Sequence, residues 1–222
     1  MIKDAELILV TGRRGSGKST LTKGLLSGRP KVVVFDPRRE YGGRGVTTCD
    51  NRKALIAAMR KGWARGFHIA YVPQAGCEAE ELHKLTLICW QAQSPYESGA
   101  DPRKLTLAIE EMDLSFPVVR LPNDLNGMTR VVNQGRHVGI EVIGVTQRPA
   151  QISKTFRANV STTYVFPLAD EDDQAAMLKK LSRKWSETLR TLQPHTCLVH
   201  DKNAQVTKVA VARNGQIRPI SI

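Results

Sequence analysis

The sequence lacks long apolar runs, paired cysteines and a secretion signal, and each absence excludes a class of protein. No stretch approaches the uninterrupted apolar length of a membrane-spanning helix. The four cysteines form no C-x-x-C pair, and no histidine lies at zinc-ligand spacing from them. We therefore expect buried or incidental thiols rather than a zinc site. The first residues do not have the charged and then apolar pattern of a signal segment, so we expect a soluble protein of a reducing, intracellular compartment that is not secreted.

Negative charge is also scarce. The chain has 21 aspartates and glutamates against 33 lysines and arginines, which gives a formal net charge of +12. A surplus of this size on a folded domain favours a polyanionic partner. The alternative is a solvated basic surface without a specific role. The basic residues are spread along the chain, as on a folded surface, and form no block typical of a disordered tail.

What the sequence does contain is a regular alternation of strand-like and helix-like segments. Buried strands are predicted over residues 5–10, 31–35, 67–72, 105–109, 140–145 and 161–166. Helices are predicted over residues 20–26, 52–61, 78–93, 124–137 (capped by Asp124), 171–181 and 184–192. Residues 195–200 and 206–211 are predicted to form a hairpin around Lys202 and Asn203.

This order of segments predicts an α/β fold. We expect a mostly parallel sheet with helices on both faces, extended at one edge by the antiparallel C-terminal hairpin. The length suits a single domain over residues 1–222, with a core at about 5–170 and C-terminal helices and edge strands at about 171–222. In such a fold ligands gather at the carboxyl ends of the strands.

The eight residues from Gly12 to Ser19, GRRGSGKS, match the phosphate-loop pattern G-x-x-x-x-G-K-[ST] at every fixed position. A predicted strand precedes them and a predicted helix follows, which is the context that the motif requires. Backbone N–H groups of such a loop converge on phosphate oxygens at the positive end of the helix dipole. Lys18 then reaches the β- and γ-phosphates, and the Ser19 hydroxyl takes one Mg²⁺ position. The predicted nucleotide-binding residues are Gly12, Arg14, Gly15, Ser16, Gly17, Lys18, Ser19 and Thr20.

Two adjacent acids, Glu110 and Glu111, follow the fourth predicted strand. We expect this strand to lie beside the phosphate-loop strand, where an acid at the tip holds Mg²⁺ through water. We assign that metal position to Glu110. A second acid can orient and deprotonate the attacking water, and we assign this catalytic role to Glu111. The alternative is an acidic turn that merely solvates a strand end.

Two further side chains are candidates for catalysis. Gln147 directly follows the fifth predicted strand, where an amide can touch both the γ-phosphate and the attacking water. A plain turn residue before Pro149 is the alternative. Arg136 ends the helix before that strand and can reach the phosphates bound by a neighbouring subunit as an arginine finger. It can equally be a cation that favours the dipole of its own helix.

Together these residues resemble the HerA–FtsK superfamily of DNA-pumping ATPases, and within it the small genome-packaging ATPases of tailless, membrane-containing icosahedral viruses, as in tectiviruses. The matching pieces are the phosphate loop, the Glu110-Glu111 strand end, and the segments GRHVGI (135–140), VTQRP (145–149) and FRAN (156–159). The resemblance covers about residues 5–170, and the stretch from GRHVGI to VTQRP is much more specific than the phosphate loop alone.

The resemblance implies a RecA-like core that binds ATP and Mg²⁺ and works as a homo-oligomeric ring, usually a hexamer, around double-stranded DNA. It implies that Arg136 is the finger given to a neighbour and that Gln147 is the sensor, with Arg148 as a second candidate for the finger. It also implies an anchor at a capsid vertex or on a viral membrane protein, and a location in the host cytoplasm or at the virion vertex.

The chain departs from the superfamily pattern at four positions. Glu110 stands where an Asp is usual, and Asp113 stands where a His often follows the catalytic Glu. Arg13 and Arg14 add positive charge inside the phosphate loop, where they contact nucleotide, contact a neighbouring subunit, or are only solvated.

The function predicted from the sequence is an ATPase that moves double-stranded DNA into a preformed capsid. Candidate pore loops are the segment with Arg38, Arg39 and Arg44 and the region from Arg120 to Arg130. A small-molecule kinase is the first alternative, although Glu111 and Gln147 favour water over an acceptor hydroxyl as the nucleophile. A nucleotide-switched phage assembly or export protein is the second.

Overall fold

The computed structural model describes residues 5–220, and within that range ten strands form one sheet. The strands are β1 (Leu7–Thr11), β2 (Lys31–Phe35), β3 (Thr47–Cys49), β4 (Phe67–Tyr71), β5 (Leu105–Ile109), β6 (Ile140–Thr146), β7 (Thr162–Val165), β8 (Thr196–His200), β9 (Val206–Val211) and β10 (Ile217–Pro219). The helices are α1 (Lys18–Leu26), α2 (Arg52–Gly62), α3 (Glu78–Ala92), α4 (Ser94–Glu97), α5 (Met112–Ser115), α6 (Gly127–Gln134), α7 (Lys154–Asn159), α8 (Glu171–Leu181) and α9 (Ser186–Thr191). Short 3₁₀ turns cover Gly135–Val138 and Arg183–Trp185.

The strand order is β10-β9-β8-β7-β1-β6-β5-β2-β4-β3. Strands β1 to β7 are parallel to one another, whereas β8 pairs antiparallel with β7, β9 with β8 and β10 with β9. The predicted α/β fold with an antiparallel extension at one edge is therefore confirmed. All the parallel strands end on the same side of the sheet, which we call the carboxyl edge, and they begin on the opposite side, the amino edge.

One expectation about the sheet is wrong, because β5 does not lie beside the phosphate-loop strand β1. Strand β6 lies between them and pairs with both. All residues of β5 and β6 are buried, so the apolar runs themselves do not reveal which strand is central. The inserted strand ends next to Gln147, so each of three neighbouring strands delivers a predicted site residue to the carboxyl edge.

The sheet is covered on both faces, which explains why its central strands are continuous apolar runs. Alternate residues of β1 point to opposite faces, so Leu9 joins the larger hydrophobic cluster, while Ile8 and Val10 join the smaller one. The smaller cluster contains Leu21 and Leu26 of α1 together with side chains of β8 and β9. The C-terminal extension is thus part of the same core as the phosphate-loop helix.

The helix predicted over residues 124–137 is shorter than expected, and Asp124 does not cap it. Helix α6 begins at Gly127, whose backbone N–H donates to the His83 ring nitrogen at 3.0 Å, and a 3₁₀ turn follows Gln134. The helix predicted over residues 184–192 likewise divides into a 3₁₀ turn and α9. The elements that the sequence did not predict, β3, β10, α4, α5 and α7, have only three to six residues and show little periodicity. Within residues 5–220, no helix combines the length and the apolarity needed to span a membrane.

Candidate active site

The phosphate loop leaves the end of β1 and passes directly into α1, as its sequence predicts. Its first glycine is required by close packing, because a Cβ on Gly12 would lie 2.4 Å from the Cβ of Phe166. The Arg13 backbone N–H donates to the Pro167 carbonyl at 2.7 Å, and the Gly12 N–H donates to the Thr146 carbonyl at 3.3 Å. The ends of β6 and β7 therefore hold the loop in place from both sides.

Lys18 is a buried cation, with 9% of its surface exposed. Its Nζ donates to the Arg13 carbonyl within the loop at 3.1 Å. Burial lowers the Lys18 pKa from its ordinary value, and the nearby charges of Glu110, Glu111 and Glu40 partly oppose that shift. A buried ammonium held by a neutral carbonyl is suited to bind the negative charge of a polyphosphate.

The other predicted nucleotide-binding residues surround Lys18 at the start of α1. The Ser16 hydroxyl is buried and has no hydrogen-bond partner in the part of the chain that the structure describes. The side chain of Arg14 and the backbone of Gly15 are exposed, whereas Ser19 and Thr20 are half-buried. An unsatisfied buried hydroxyl beside open loop positions fits a site completed by a polar ligand.

The predicted Mg²⁺ position, which we call the metal side of the site, contains Ser19 and Glu110. Two residues that the sequence does not predict, Glu40 and Tyr41, also lie there. The Ser19 hydroxyl lies 3.5 Å from Oε2 of Glu40, and the Tyr41 hydroxyl donates to Oε1 of Glu110. Burial is the main cause that raises the Glu110 pKa to about 7; the Tyr41 hydrogen bond and Lys18 lower it, while Glu40 and Glu111 raise it. The sequence offers one signal for Glu40 and Tyr41, because the polar run DPRREY (36–41) directly follows the strand β2.

The segment after β2, residues 36–46, is held at the carboxyl edge by a buried carboxylate. Asp36 is fully buried and accepts the backbone N–H groups of Glu40 and Tyr41, each at 2.9 Å. The Lys23 ammonium of α1 donates to the Glu40 carbonyl at 3.0 Å. We call residues 36–46 the arginine loop, because Arg38, Arg39 and Arg44 lie on it.

The donors at this position fit Mg²⁺. Within residues 5–220, no group of three or more His, Cys, Asp or Glu side chains is arranged as a complete metal cage. Mg²⁺ in nucleotide sites takes one or two protein oxygens and completes its shell with phosphate oxygens and water. The Ser19 hydroxyl and the Glu110 carboxylate are oxygen donors of that kind, and Glu40 adds a third beside them.

The structure brings the two predicted catalytic residues Glu111 and Gln147 together at the ends of adjacent strands. The Gln147 amide donates to Oε1 of Glu111 at 3.2 Å. The Arg38 guanidinium lies 3.7 Å from the same oxygen. Glu111 has φ 47° and ψ 51°, a left-handed conformation that costs a non-glycine residue about 1–3 kcal/mol and is concentrated at functional sites.

Below this pair, Thr146 links the ends of β5 and β6. Its hydroxyl donates to Oδ1 of Asp113 at 2.6 Å and accepts the Arg148 backbone N–H at 2.9 Å. Asp113 therefore fixes the strand end from which Gln147 projects.

The two finger candidates lie in different places. The Arg148 guanidinium is bound by carboxylates of the same chain, with Nε 2.8 Å from buried Asp173 and a terminal nitrogen 3.4 Å from Asp170. Arg136 is exposed in the 3₁₀ turn before β6. It is therefore at the amino edge, and the seven residues of β6, roughly 20 Å of strand, separate it from Gln147 and the phosphate loop of the same chain.

No family model matches this sequence, and no curated protein sequence matches it. Solved structures do match. The genome packaging NTPase B204 from Sulfolobus turreted icosahedral virus 2 in complex with AMPPCP superimposes with a TM-score of 0.70 at 17% identity, over 92% of this chain and 96% of that chain. The same protein in complex with ATP-gammaS gives 0.69 at 18% identity, over 94% and 98%. EssC (ATPases 2 and 3) from Geobacillus thermodenitrificans gives 0.54 at 18% identity, over 92% of this chain and 39% of that chain.

These likenesses extend over nearly the whole described chain, so they concern the fold rather than a shared motif. The sequence resemblance predicted such a fold, and that prediction is confirmed. The chain therefore has the P-loop ATPase fold that the packaging NTPase B204 and the EssC ATPase domains share.

Proposed function

We propose that the protein is an ATP-hydrolysing motor that translocates double-stranded DNA and packages a viral genome into a preformed capsid. The observation that carries this proposal is the hydrogen bond between Gln147 and Glu111, next to a phosphate loop with a buried Lys18. A carboxylate oriented by an amide suits the activation of water, whereas a kinase would need a pocket for an acceptor hydroxyl. The solved structures with the same fold include a protein named as a genome packaging NTPase, which supports the proposal.

In the proposed reaction the triphosphate lies on the backbone N–H groups of the phosphate loop, and Lys18 exchanges the Arg13 carbonyl for phosphate oxygens. Gln147 orients a water molecule, and Glu111 takes its proton as the water oxygen attacks the γ-phosphorus. The bond to the bridging oxygen breaks, and ADP leaves with the electron pair. Mg²⁺, held by Ser19 and Glu110, would neutralise charge on the β- and γ-phosphate oxygens.

The position of Arg136 supports a ring in which each subunit completes the site of its neighbour. Arg136 lies at the amino edge, so its reach does not include the carboxyl edge of its own sheet. The other finger candidate, Arg148, is occupied by Asp173 and Asp170. We propose a hexamer in which Arg136 of one subunit stabilises the transition-state charge at the next, a contribution of about 10³ to 10⁵ in rate.

The arginine loop is the segment that we propose to couple the nucleotide to DNA. It contacts the metal side of the site through Glu40 and Tyr41 and carries exposed arginines at the same edge. Magnesium nucleotide at Ser19 and Glu110 would compete with both contacts and so move the loop. Arginines on it would bind phosphates of the DNA backbone without reading bases.

The remaining parts of the proposal concern the assembly. A ring that pushes DNA into a capsid needs an anchor, so we propose a capsid-vertex or viral membrane protein as the partner. The protein would then work in the host cytoplasm and at the virion vertex. The excess of basic residues supports a polyanionic partner, as expected for duplex DNA.

The test is a steady-state ATPase assay with and without long duplex DNA on the wild type, Lys18→Ala and Arg136→Ala. We expect phosphate release without any acceptor, stimulation by DNA, and a loss of about 10³-fold or more in Arg136→Ala. His137→Ala, an exposed change in the same 3₁₀ turn, is the matched control and should retain activity.

Mixing the two inactive variants tests whether Arg136 acts across a subunit boundary. A Lys18→Ala subunit supplies an intact Arg136 to a neighbour with an intact phosphate loop, so mixed rings should recover part of the activity. Assembled wild type that retains ATP uncleaved with Mg²⁺ and duplex DNA would contradict the motor. Phosphate transfer to an added small-molecule acceptor would favour a kinase instead, and hydrolysis that is indifferent to DNA would favour the assembly or export class.

A further inference from the structure

The C-terminal extension touches the phosphate loop on the side away from the catalytic pair. Strands β6 and β5, with Gln147 and Glu111 at their ends, lie on one side of β1, and β7 and β8 lie on the other. If the γ-phosphate of a bound triphosphate lies at the catalytic pair, the rest of the nucleotide extends across the loop in the opposite direction. Its nucleoside then lies toward β7 and β8. The turn before β8 is the part of the extension that reaches this place.

His195 is the residue in that turn that contacts the loop. Its backbone N–H donates to the Ser16 carbonyl at 2.8 Å, which fastens the turn to the loop. Its imidazole lies against Gly17, because a Cβ built on Gly17 would be only 2.9 Å from Nδ1. Any side chain at position 17 would therefore collide with the ring, so the glycine also makes room for His195.

The turn is held in a single arrangement by several contacts. His195 has φ 61°, in the left-handed region, and its carbonyl accepts the Val211 N–H of β9 at 2.8 Å. The turn between β9 and β10 packs directly on α1, since a Cβ on Gly215 would lie 2.6 Å from both the Thr20 carbonyl oxygen and the Gly24 Cα. Two points of the extension are thus fixed to the loop and its helix. The exposed imidazole is oriented before any ligand arrives.

We propose that His195 contacts the nucleoside of the bound nucleotide and that the C-terminal extension forms the nucleoside side of the site. The inference rests on the proposed function only in taking a nucleoside triphosphate as the ligand. An imidazole offers a flat face for a base and a ring nitrogen for a sugar hydroxyl. The extension, rather than the phosphate loop, would then distinguish ATP from a bare polyphosphate.

The experiment compares the binding of ATP and of inorganic tripolyphosphate, both with Mg²⁺, by titration calorimetry. The variant is His195→Asn, because asparagine tolerates the left-handed backbone better than most residues. We expect about a tenfold loss of ATP affinity and an unchanged affinity for tripolyphosphate. Lys202→Ala, an exposed change in the β8–β9 turn, is the control and should bind both ligands as the wild type does.

An equal loss for both ligands, or no loss for either, would overturn the proposal. If His195→Asn fails to fold, the histidine ring signals of the wild type decide by NMR. A shift of the His195 signal with ATP and none with tripolyphosphate supports the nucleoside contact, whereas equal shifts or none refute it. Wild type that binds ATP in this way but never hydrolyses it would refute the motor and leave the role of His195 standing.

Discussion

The two edges of the sheet treat buried charge in opposite ways. At the amino edge, the fully buried Lys31 ammonium lies 2.8 Å from Asp101, over the ring of Trp63, and Arg103 grips both oxygens of the same carboxylate. The Arg103 hydrogen bonds are the largest cause that holds the Asp101 pKa well below its usual range; the bond from Lys31 acts in the same direction, against burial. Arg29, Lys104 and Thr106 surround Glu141 in the same way, as a second closed cluster.

At the carboxyl edge, among the described residues, Lys18 and Glu110 have no ion pair as close as these, and the Arg38 guanidinium lies 3.7 Å from Glu111. Lys18 is hydrogen-bonded to a neutral carbonyl, its pKa lowered mainly by burial. Glu110 has a pKa raised to about 7, mainly because it is buried, and Glu111 keeps a strained backbone. Buried charges in close ion pairs fix the positions of strands, whereas buried charges without a close ion pair are available to bind a charged ligand. The fold and the site therefore depend on different parts of one sheet.

The largest expected effect comes from changing a carboxylate to an amide at the carboxyl edge. Glu111→Gln keeps the shape and the contact with Gln147 but removes the base, so turnover should fall by about 10²- to 10⁴-fold while ATP still binds. Single-turnover phosphate release and calorimetric ATP binding measure the two quantities. A variant that hydrolyses ATP at the wild-type rate would remove Glu111 from the mechanism.

The same chemical change at the amino edge should affect stability instead. Asp101→Asn leaves Lys31 buried without its counter-charge, so the free energy of unfolding should fall by about 3–5 kcal/mol. Turnover per folded subunit should not change, because Asp101 is at the far edge of the sheet. Urea unfolding followed by fluorescence measures the loss, with the exposed Asp124→Asn as the control. An unchanged midpoint would mean that the network at this edge is not a support of the fold.

How far the sequence predicts this molecule depends on whether a feature is local. The phosphate loop from Gly12 to Ser19 is a continuous motif, and its strand and helix are where the sequence predicts them. Glu111 and Gln147 each follow a strand that the apolar runs reveal, so their place at the carboxyl edge is predictable from the sequence. The confirmed strand β2 and helix α8 have the predicted boundaries for the same reason.

Features that depend on which strands are neighbours escaped the sequence analysis. Tyr41 meets Glu110 across 69 positions because β2 pairs with β5, and no apolar pattern encodes that pairing. The placement of β6 between β1 and β5 was missed for the same reason. His195 reaches Gly17 only through the antiparallel extension, whose packing on α1 depends on a contact between two glycines. The sequence therefore predicts the phosphate loop and the catalytic residues, but not the residues from other strands that contact them.

The next largest effect is a pH dependence of the free energy of unfolding, which arises from Glu110 at the carboxyl edge. The folded Glu110 pKa of about 7 lies above its ordinary 4.5, so the folded state holds this proton more tightly than the unfolded state. The stability from this group is complete below pH 4.5 and is lost as the pH rises through 7. Between pH 5 and 8 the free energy of unfolding of the wild type should fall by about 1–3 kcal/mol more than that of Glu110→Gln. Parallel stability curves for the two proteins would show that Glu110 is compensated like the charges at the amino edge.

The smallest effect concerns exposed basic residues outside the amino-edge clusters and the catalytic site. Its measurement distinguishes which of two basic surfaces binds DNA. The arginine loop carries the exposed Arg39 and Arg44, whereas Lys154 and Lys179 line a groove of about 380 Å³ between α7 and α8. Each phosphate contact contributes about 0.9 to the slope of log affinity against log salt. Replacing both loop arginines with glutamine should lower that slope by about two, and replacing both groove lysines should leave it unchanged. Fluorescence anisotropy with a duplex of fixed length measures both slopes. A smaller slope in the lysine variant alone would move the DNA contact to the α7–α8 groove, because a loop that moves with nucleotide but never binds phosphate cannot couple hydrolysis to DNA.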